Sequence, residues 1–261
     1  MQERHSDRDK YINEQVITTQ KYVIPFIQEF LNIDSTVSVL EIGCGEGGNM
    51  KPFLDLGCSV TGVDFSVAKI EFGNKYFEGH PNKEKLIFLT EDIYDSKNLD
   101  QYDLIIMRDV IEHIHDQDRF MNYVKKFLKP KGKFFLAFPP WYNPFGGHQQ
   151  VCESRLLSKV PYYHILPSPI YKGILKVFGE SEKKIEGLLE VKETGITIER
   201  FEKILIKNKY KIDKKREYFI NPNYEIKFGL KPRTGIPIVS SIPYFKNFVT
   251  TATYYLVSNK E

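Results

Sequence analysis

Three groups of residues in this chain are spaced to do chemistry. The first is the cluster Gly43-Cys44-Gly45-Glu46-Gly47-Gly48, which follows the apolar run Val37, Val39, Leu40 and Ile42. That run is long enough for one buried strand. Glycine has no Cβ, so the backbone can turn tightly there and let a ligand come close. A mixed stretch from Asn49 to Leu56 then stops at Gly57, as helices stop. Strand, glycine turn and helix open a nucleotide-binding βαβ unit, and the helix N-terminus offers free N–H groups. The second group is acidic: Glu41 just before the turn, Asp64 at the end of Ser59-Val60-Thr61-Gly62-Val63, and Asp92 after Leu86-Ile87-Phe88-Leu89. An acid at the tip of the second strand can accept both hydroxyls of a ribose. The third group is two histidines, His113 and His148.

The elements that must position these residues alternate. Residues 8–32 carry helical spacing, and Pro25 predicts a kink or two helices meeting there. Ser66 is placed to cap a helix of about 12 residues that ends near Gly79-His80-Pro81. Leu86–Leu89 reads as a third, buried strand and Tyr102–Met107 as a fourth. A helical run from Asp116 aligns Phe120, Val124, Phe127 and Leu128 on one face, with Pro130 and Gly132 as its stop. Phe134–Phe138 is a fifth strand, apolar enough to be covered on both faces. Strands alternating with helices specify a doubly wound parallel sheet. The rhythm breaks over 139–197, which is rich in proline and aromatics and too long for an ordinary connection, so a functional role is expected. A helical face returns at Ile198, Phe201, Ile204 and Leu205, and Tyr210–Ile220 alternates like a strand. Residues 221–247 form a second proline-rich insertion, and Phe248–Val257 is β-rich.

Composition narrows the partners. The 261 residues are 41% hydrophobic, enough for a full core in one large domain. Thirty-seven basic and 34 acidic residues leave a net charge of +3, which gives no basic footprint for nucleic acid. Cys44, Cys58 and Cys152 make no disulfide framework, and no Cys/His cluster has zinc spacing, so no metal site is expected. The charged stretch from Glu3 to Lys10 lacks the apolar core of a signal peptide. No run reaches the roughly 18 apolar residues of a membrane span. A reduced, cytoplasmic protein is the expectation.

A bare Gly-x-Gly-x-x-Gly, here Gly43, Gly45 and Gly48, is shared with NAD-binding proteins. Its surroundings are more specific. Leu40-Glu41-Ile42-Gly43-Cys44-Gly45-Glu46-Gly47 is followed by Gly62-Val63-Asp64-Phe65-Ser66 and Glu91-Asp92-Ile93. Then come Tyr102-Asp103-Leu104-Ile105-Ile106-Met107, Val110-Ile111-Glu112-His113-Ile114 and Leu128-Lys129-Pro130-Lys131-Gly132-Lys133. In this order the set, covering about 36–138, resembles the class I S-adenosylmethionine-dependent methyltransferases. It is most similar to the group that includes the ubiquinone and menaquinone biosynthesis enzymes.

The resemblance implies an α/β fold: a seven-stranded, doubly wound, mostly parallel Rossmann-like sheet. Its last strand is inserted antiparallel, and a lid follows strand five. It divides the chain into an N-terminal helical cap (1–36), a cofactor core (37–138 and 198–261) and a substrate-side insertion (139–197), with 221–247 as the second insertion. It implies S-adenosylmethionine as cofactor and S-adenosylhomocysteine as product. The cofactor contacts it implies are Glu41, Gly43, Cys44, Gly45, Asp64, Phe65, Asp92, Ile93, Met107 and Arg108, the last two through the backbone. Glu41 lies near the methionine end or is a buried acid that orients the loop. Phe65 stacks on adenine or packs in the core. Asp92 accepts from the adenine amino group or is a turn acid.

Two histidines could serve as bases. His113, flanked by Ile111 and Ile114, is structural by default. His148 follows Gly146-Gly147 past the fifth strand, where a mobile turn could deliver an imidazole to the acceptor; otherwise it holds the lid closed. Phe138-Pro139-Pro140-Trp141 resembles the Pro-Pro-aromatic motif of amino-methylating nucleic-acid enzymes, but its first residue is not polar and it follows the wrong strand. Trp141, Tyr142, Phe145, Tyr162, Tyr163, Tyr171 and Phe178 suit a planar or apolar acceptor, or simply pack the insertion. Lys172, Lys176, Lys183 and Lys184 read as a solvated face, or as a weak attraction for an anion or membrane surface. The expected activity is methyl transfer to oxygen or carbon of a small molecule, with an aromatic or lipid-linked acceptor among the candidates. The rivals are a SAM-binding regulator without turnover and an NAD-dependent oxidoreductase.

Overall fold

The computed structural model describes residues 7–97, 99–235 and 237–260; the first six residues of the expected N-terminal cap lie outside them. Eight strands form one sheet: β1 (Ser38–Ile42), β2 (Ser59–Asp64), β3 (Leu86–Thr90), β4 (Tyr102–Arg108), β5 (Leu128–Phe138), β6 (Tyr210–Ile220), β7 (Arg233–Thr234) and β8 (Ala252–Asn259). Their order is β3-β2-β1-β4-β5-β8-β6-β7. β1 to β5 pair in parallel, and β8 lies antiparallel between β5 and β6. The eighth strand beyond the expected seven is β7, two residues paired antiparallel to the end of β6.

The inner strands bury both faces, so their apolar residues run nearly unbroken. Successive side chains still go to opposite sides. Val39, Leu104, Ile106, Phe135 and Ala137 join one core, while Leu40, Ile105, Met107, Phe134 and Phe138 join the other. The first core is covered by α2 (Ile24–Gln28), α3 (Lys51–Asp55) and α4 (Val67–Tyr76), with Phe26, Ile27, Phe53 and Phe77 packed into it, while α1 (Arg8–Thr18) buries Ile12 and Val16 outside that cluster. The second is covered by α5 (Gln117–Val124) and, later, by α8 (Ile198–Lys207), through Phe120, Met121, Val124, Phe201 and Leu205.

Residues 139–197 build a third apolar cluster of their own. It forms around α6 (Ser168–Val177) and α7 (Glu182–Thr194) from Cys152, Tyr163, Tyr171, Leu175, Ile185 and Leu188. Residues 221–247 hold α9 (Asn223–Phe228), β7 and α10 (Pro237–Ser240), and α11 (Lys246–Val249) leads into β8.

Three local expectations change. β3 is an edge strand, not a buried one: Ile87 is 53% exposed, because only β2 flanks it. Pro130 and Gly132 do not stop the helix, which ends at Val124 and closes with one tight turn over Lys125–Phe127. Both lie inside β5, where the register with β4 slips between Tyr102 and Leu104. Such an irregularity accommodates an exposed proline with no N–H to donate. The last strand begins at Ala252, since 246–249 is helical.

At Pro25 the expected break takes a particular form. Thr19–Val23 widens into a π-type turn in which Ile24 N–H bonds back to Thr19 O, and Pro25 sits in the first turn of α2. A proline there gives up only an N–H that would be unsatisfied anyway.

The turn after β1 depends on Gly43, whose φ is +73°; a Cβ there would sit 2.5 Å from Val110 Cγ2. Gly43→Ala is therefore expected to lower unfolding free energy by about 1–3 kcal/mol. Adding Val110→Ala should recover the steric part and leave the conformational part. Urea unfolding of the three variants checks this; an unchanged midpoint in Gly43→Ala would contradict it.

Candidate active site

The glycine turn is stitched to β2. Gly43 N and Cys44 N both donate to Val63 O, at 2.8 and 3.1 Å. Gly45 N donates to Asp64 Oδ2 at 2.9 Å, and Ser66 N to Asp64 Oδ1 at 2.8 Å. Two backbone amides thus fix the Asp64 carboxylate at the strand tip. Gly45 has φ +55°, and a Cβ on it would meet nothing nearer than Lys69 Cδ at 3.8 Å. The space beyond is a cavity of about 850 Å³ at the carboxyl ends of β1, β2 and β4. Open α/β sheets bind ligands at these ends, and clefts that hold small molecules span roughly 300–1,000 Å³.

Strand alternation sends Glu41 and Arg108 toward the N-terminal helices. Arg108 Nη1 donates to Asn49 Oδ1 at 2.6 Å and to Thr19 Oγ1 at 3.1 Å, and Nη2 donates to Asn223 Oδ1 at 2.8 Å. Thr19 Oγ1 also donates to Asn49 Oδ1 at 3.1 Å. Asn49 Nδ2 donates to Glu41 Oε1 at 2.7 Å. This buried network joins the widened turn, the glycine loop, β1, β4 and α9. Glu41 Oε2, Arg108 Nε and Gln15 Oε1 are buried without a hydrogen-bond partner among the described residues. Burial pushes the Glu41 carboxyl up to about 8, against the opposing pull of Asn49 and Arg108. Buried polar groups usually have partners, so three orphaned atoms in and behind this wall fit a polar ligand in the cavity.

The expected cofactor residues separate into four sets. Gly43, Cys44, Gly45, Asp64, Phe65 and Arg108 line the cavity, and so does His113. Phe65 is 85% exposed and stands at the rim, not in the core. Glu41 is buried behind the wall and reaches the cavity only through Asn49. Met107 and Ile93 bury their side chains in the core on the other face of the sheet, leaving only their backbone groups. Asp92 is exposed and does not line the cavity; its Oδ1 accepts from Tyr94 N at 2.9 Å, which shapes the turn after β3. The side chain of Arg108 does more than its expected backbone role. Thr19, Asn49 and Asn223 were not foreseen. Asn49, directly after the glycines, had a positional signal; Thr19 and Asn223 had none.

The two histidines, 35 positions apart, meet. Their ring centroids are 5.0 Å apart, edge to face. Near both lies Glu112, only 3% exposed, with neither carboxylate oxygen hydrogen-bonded among the described residues. His148 Nε2 is 3.9 Å from Glu112 Oε1. Burial raises the Glu112 carboxyl well above the usual range, and Asp109 adds to the shift. Burial, then the nearby His113 and His164, lowers His148 to about 4; burial also lowers His113. Both rings are therefore neutral near neutral pH, each with a free lone pair. His113 lines the 850 Å³ cavity, while His148 lines a second cavity of about 350 Å³ with Ser181, Lys184 and Leu188.

The Gly146-Gly147 pair is not built to swing. A Cβ on Gly146 would lie 2.0 Å from Trp141 O, and one on Gly147 2.3 Å from His164 Cβ. His164 in turn donates from Nε2 to Trp141 O at 2.9 Å and accepts at Nδ1 from Gln149 at 3.0 Å. The glycines allow close packing that fixes His148. The aromatics of the insertion mostly pack as well. Trp141 meets His164 edge-on at 4.7 Å, Tyr142 stacks on Phe248 at 5.1 Å, and Tyr163 contacts Tyr171 at 5.4 Å. None of the seven expected aromatics lines either cavity.

Known proteins agree with this architecture. A family model described as a methyltransferase domain matches residues 15–151, just over half of the chain. A ubiquinone biosynthesis O-methyltransferase from Pelagibacter ubique is 32% identical over 130 residues, 50% of this chain and 51% of that protein. One from Rickettsia bellii is 32% identical over 111 residues, 42% of this chain and 45% of the relative. The match thus spans about half the length of these relatives. Among solved structures, a geranyl diphosphate C-methyltransferase from Streptomyces coelicolor with bound S-adenosylhomocysteine superposes with a TM-score of 0.56. It is 14% identical, over 92% of this chain and 80% of that one. A magnesium protoporphyrin IX methyltransferase from Synechocystis, also with bound S-adenosylhomocysteine, gives 0.56 at 15% identity, over 97% and 86%. At such identity these two show the fold. Among the described residues no helix is long and apolar enough to cross a membrane. With the glycine turn, the strand-tip aspartate and the sheet order in place, the matched segment settles the family: this chain belongs to the methyltransferase-domain proteins.

Proposed function

We propose that the chain is an S-adenosylmethionine-dependent methyltransferase acting on oxygen or carbon of a small molecule. One observation carries the reading. Asp64, its carboxylate held by Gly45 and Ser66 amides, opens with the glycine turn onto one cleft of ligand size. S-adenosylmethionine supplies the methyl group as an already activated sulfonium, and S-adenosylhomocysteine is the product. The remaining lone pairs of Asp64 accept the ribose hydroxyls. Gly43 and Gly45 leave room for the ligand to lie against the backbone. The Glu41–Asn49–Arg108 wall takes the amino-acid end, and Phe65 covers the rim. His113 and His148 face the acceptor with neutral rings that accept its hydrogen bond. In this division 37–138 and 198–260 hold the cofactor, α1 and α2 cover it, and 139–197 forms the acceptor side. Holding donor and acceptor in line and excluding water lowers much of the barrier for such a transfer.

Calorimetry with S-adenosylhomocysteine tests the assignment. Wild-type protein should bind it, and Asp64→Ala should weaken binding roughly 100-fold, the worth of two hydrogen bonds to a charged acceptor. NAD should give no heat. Equal affinity in Asp64→Ala, or binding of NAD instead, would refute the reading. Labelled S-adenosylmethionine with extract fractions then separates an enzyme from a regulator, which would transfer nothing.

Glu41 supplies a second test. Its folded-state pKa of about 8 lies above the ordinary value, so the folded protein holds this proton more tightly than the unfolded chain. That stabilisation is full below about 4.5 and fades as pH rises toward 8. Without ligand, Glu41→Gln should therefore gain in Tm over wild type as pH goes from 5 to 9. A cationic ligand beside the wall should ionise Glu41, releasing roughly one proton at pH 7. Calorimetry in buffers of different ionisation enthalpy reads that proton. Its absence, with ligand bound, would place Glu41 outside the ligand's reach.

A further inference from the structure

The two cavities lie on either side of the ring pair: His113 lines the first and His148 the second, with ring centroids 5.0 Å apart. The second, of about 350 Å³, is large enough for a small ligand. One wall is Val151. Another is a single face of α7, where Lys184, Gly187, Leu188 and Val191 follow at helical spacing. The C-terminal end of that helix is tied beside the rings, because Thr194 Oγ1 donates to Glu112 O at 2.5 Å. Lys184 stands ten residues, roughly 15 Å, back along the axis.

Gly187 sits in the middle of this 13-residue helix, where glycine is among the poorest choices. Its conformation does not call for glycine, since its φ lies outside the left-handed region. Packing does not call for it either: a Cβ there would meet nothing within 4 Å, unlike those on Gly146 and Gly147. What the missing side chain provides is room in the cavity. The charge is at the other end from the rings. Lys183 and Lys184 line the cavity, and neither makes a hydrogen bond or an ion pair among the described residues. Lys176, by contrast, is paired with Glu182 at 3.1 Å. The carboxylate of Glu153, in the same lining, accepts from Ser181 Oγ at 3.0 Å. Leu188 and Val191 are buried while Lys183 is exposed, so apolar walls lead out to two unpaired cations.

We propose that the second cavity is a subsite for an apolar, elongated molecule with an anionic end. The anion meets Lys183 and Lys184, the body lies along Val151, Leu188 and Val191, and Gly187 sets how bulky that body can be. The opposite end reaches His148 at the junction with the first cavity. That the bound molecule is the methyl acceptor rests on the methyltransferase reading; that the cavity takes such an anion does not.

The probe is 4′-hydroxybiphenyl-4-carboxylate, followed by its fluorescence on full-length protein. The comparison compound is 4-phenylphenol, which lacks the carboxylate, and S-adenosylhomocysteine is titrated in parallel by calorimetry. One equivalent of the acid should bind, at least about tenfold more tightly than 4-phenylphenol, as loss of a charged partner implies. Gly187→Leu, which puts a side chain into the cavity, should weaken both compounds at least about tenfold and leave S-adenosylhomocysteine affinity unchanged. Gly187→Ala should keep the acid and raise Tm. Replacing Lys183 and Lys184 together by Met should bring the acid down to the affinity of 4-phenylphenol. Should Gly187→Leu fail to fold by circular dichroism, Val151→Trp, which narrows the cavity from another wall, carries the comparison. No binding of the acid, equal affinity for the two compounds, full affinity in the narrowed variant, or a charge preference that survives the double lysine variant overturns the subsite. Binding of the acid by protein that takes no S-adenosylhomocysteine would instead overturn the methyltransferase reading and leave the subsite standing.

Discussion

One buried guanidinium holds the candidate site together. Arg108 comes off the end of β4 on the side of the N-terminal helices, where it is removed from water. A buried cation destabilises the fold unless acceptors are supplied to it; here they reach both Nη atoms, while Nε is left without one among the described residues. The acceptors come from three distant places: Thr19, Asn49 and Asn223. Each is neutral, so the charge is spread over side-chain dipoles, with no close ion pair among the described residues. The geometry of each partner then follows. The chain must widen ahead of Pro25 for Thr19 to present its hydroxyl, and Asn49 must follow the glycine turn at once. The first turn of α9 must come back over the sheet, where Tyr22 and Lys21 also bond to Glu225. The floor of the cavity and its helical cover are set by the same charge.

Most of the fold was legible because it depends on local rules. Apolar runs of strand length, helical spacing and glycine breaks located five strands of the parallel half, and the antiparallel last strand followed from the resemblance. The misreadings have a common cause. Leu86–Leu89 is as apolar as an inner strand, but whether a strand is an edge depends on which neighbours the chain supplies, and its own residues do not say. Pro130 and Gly132 are stop signals in isolation; pairing across β4 and β5 overrode them.

The site was legible where function and backbone coincide, at Gly43, Gly45 and Asp64. It was not legible where a side chain acts across the sheet. Alternation puts Met107 and Arg108 on opposite faces, a distinction that follows only once the strand's register is known. Asp92 looked like a ligand acid by position, and its carboxylate shapes a turn. The histidines could be named singly, but their convergence on Glu112 could not, because the segment joining them runs up β5 and back. The aromatic richness of 139–197 pointed to a binding surface. The structure puts Tyr163 and Tyr171 into a core of the insertion's own, packs Trp141 on His164 and Tyr142 on Phe248, and leaves Tyr162 and Phe178 exposed.

The placement of β8 has a bearing on biosynthesis. β6 has no bond to β5 until residues 252–259 slot between them. On the ribosome, the nascent chain can form the half that carries the glycine turn early, from pairings close in sequence. The other half must wait until residues 252–259 have been made, when Tyr254, Tyr255 and Leu256 fill both cores. Until then β5 offers a long, unpaired apolar rim to solvent or to a chaperone, a slow and aggregation-exposed stage of the kind non-local pairing imposes.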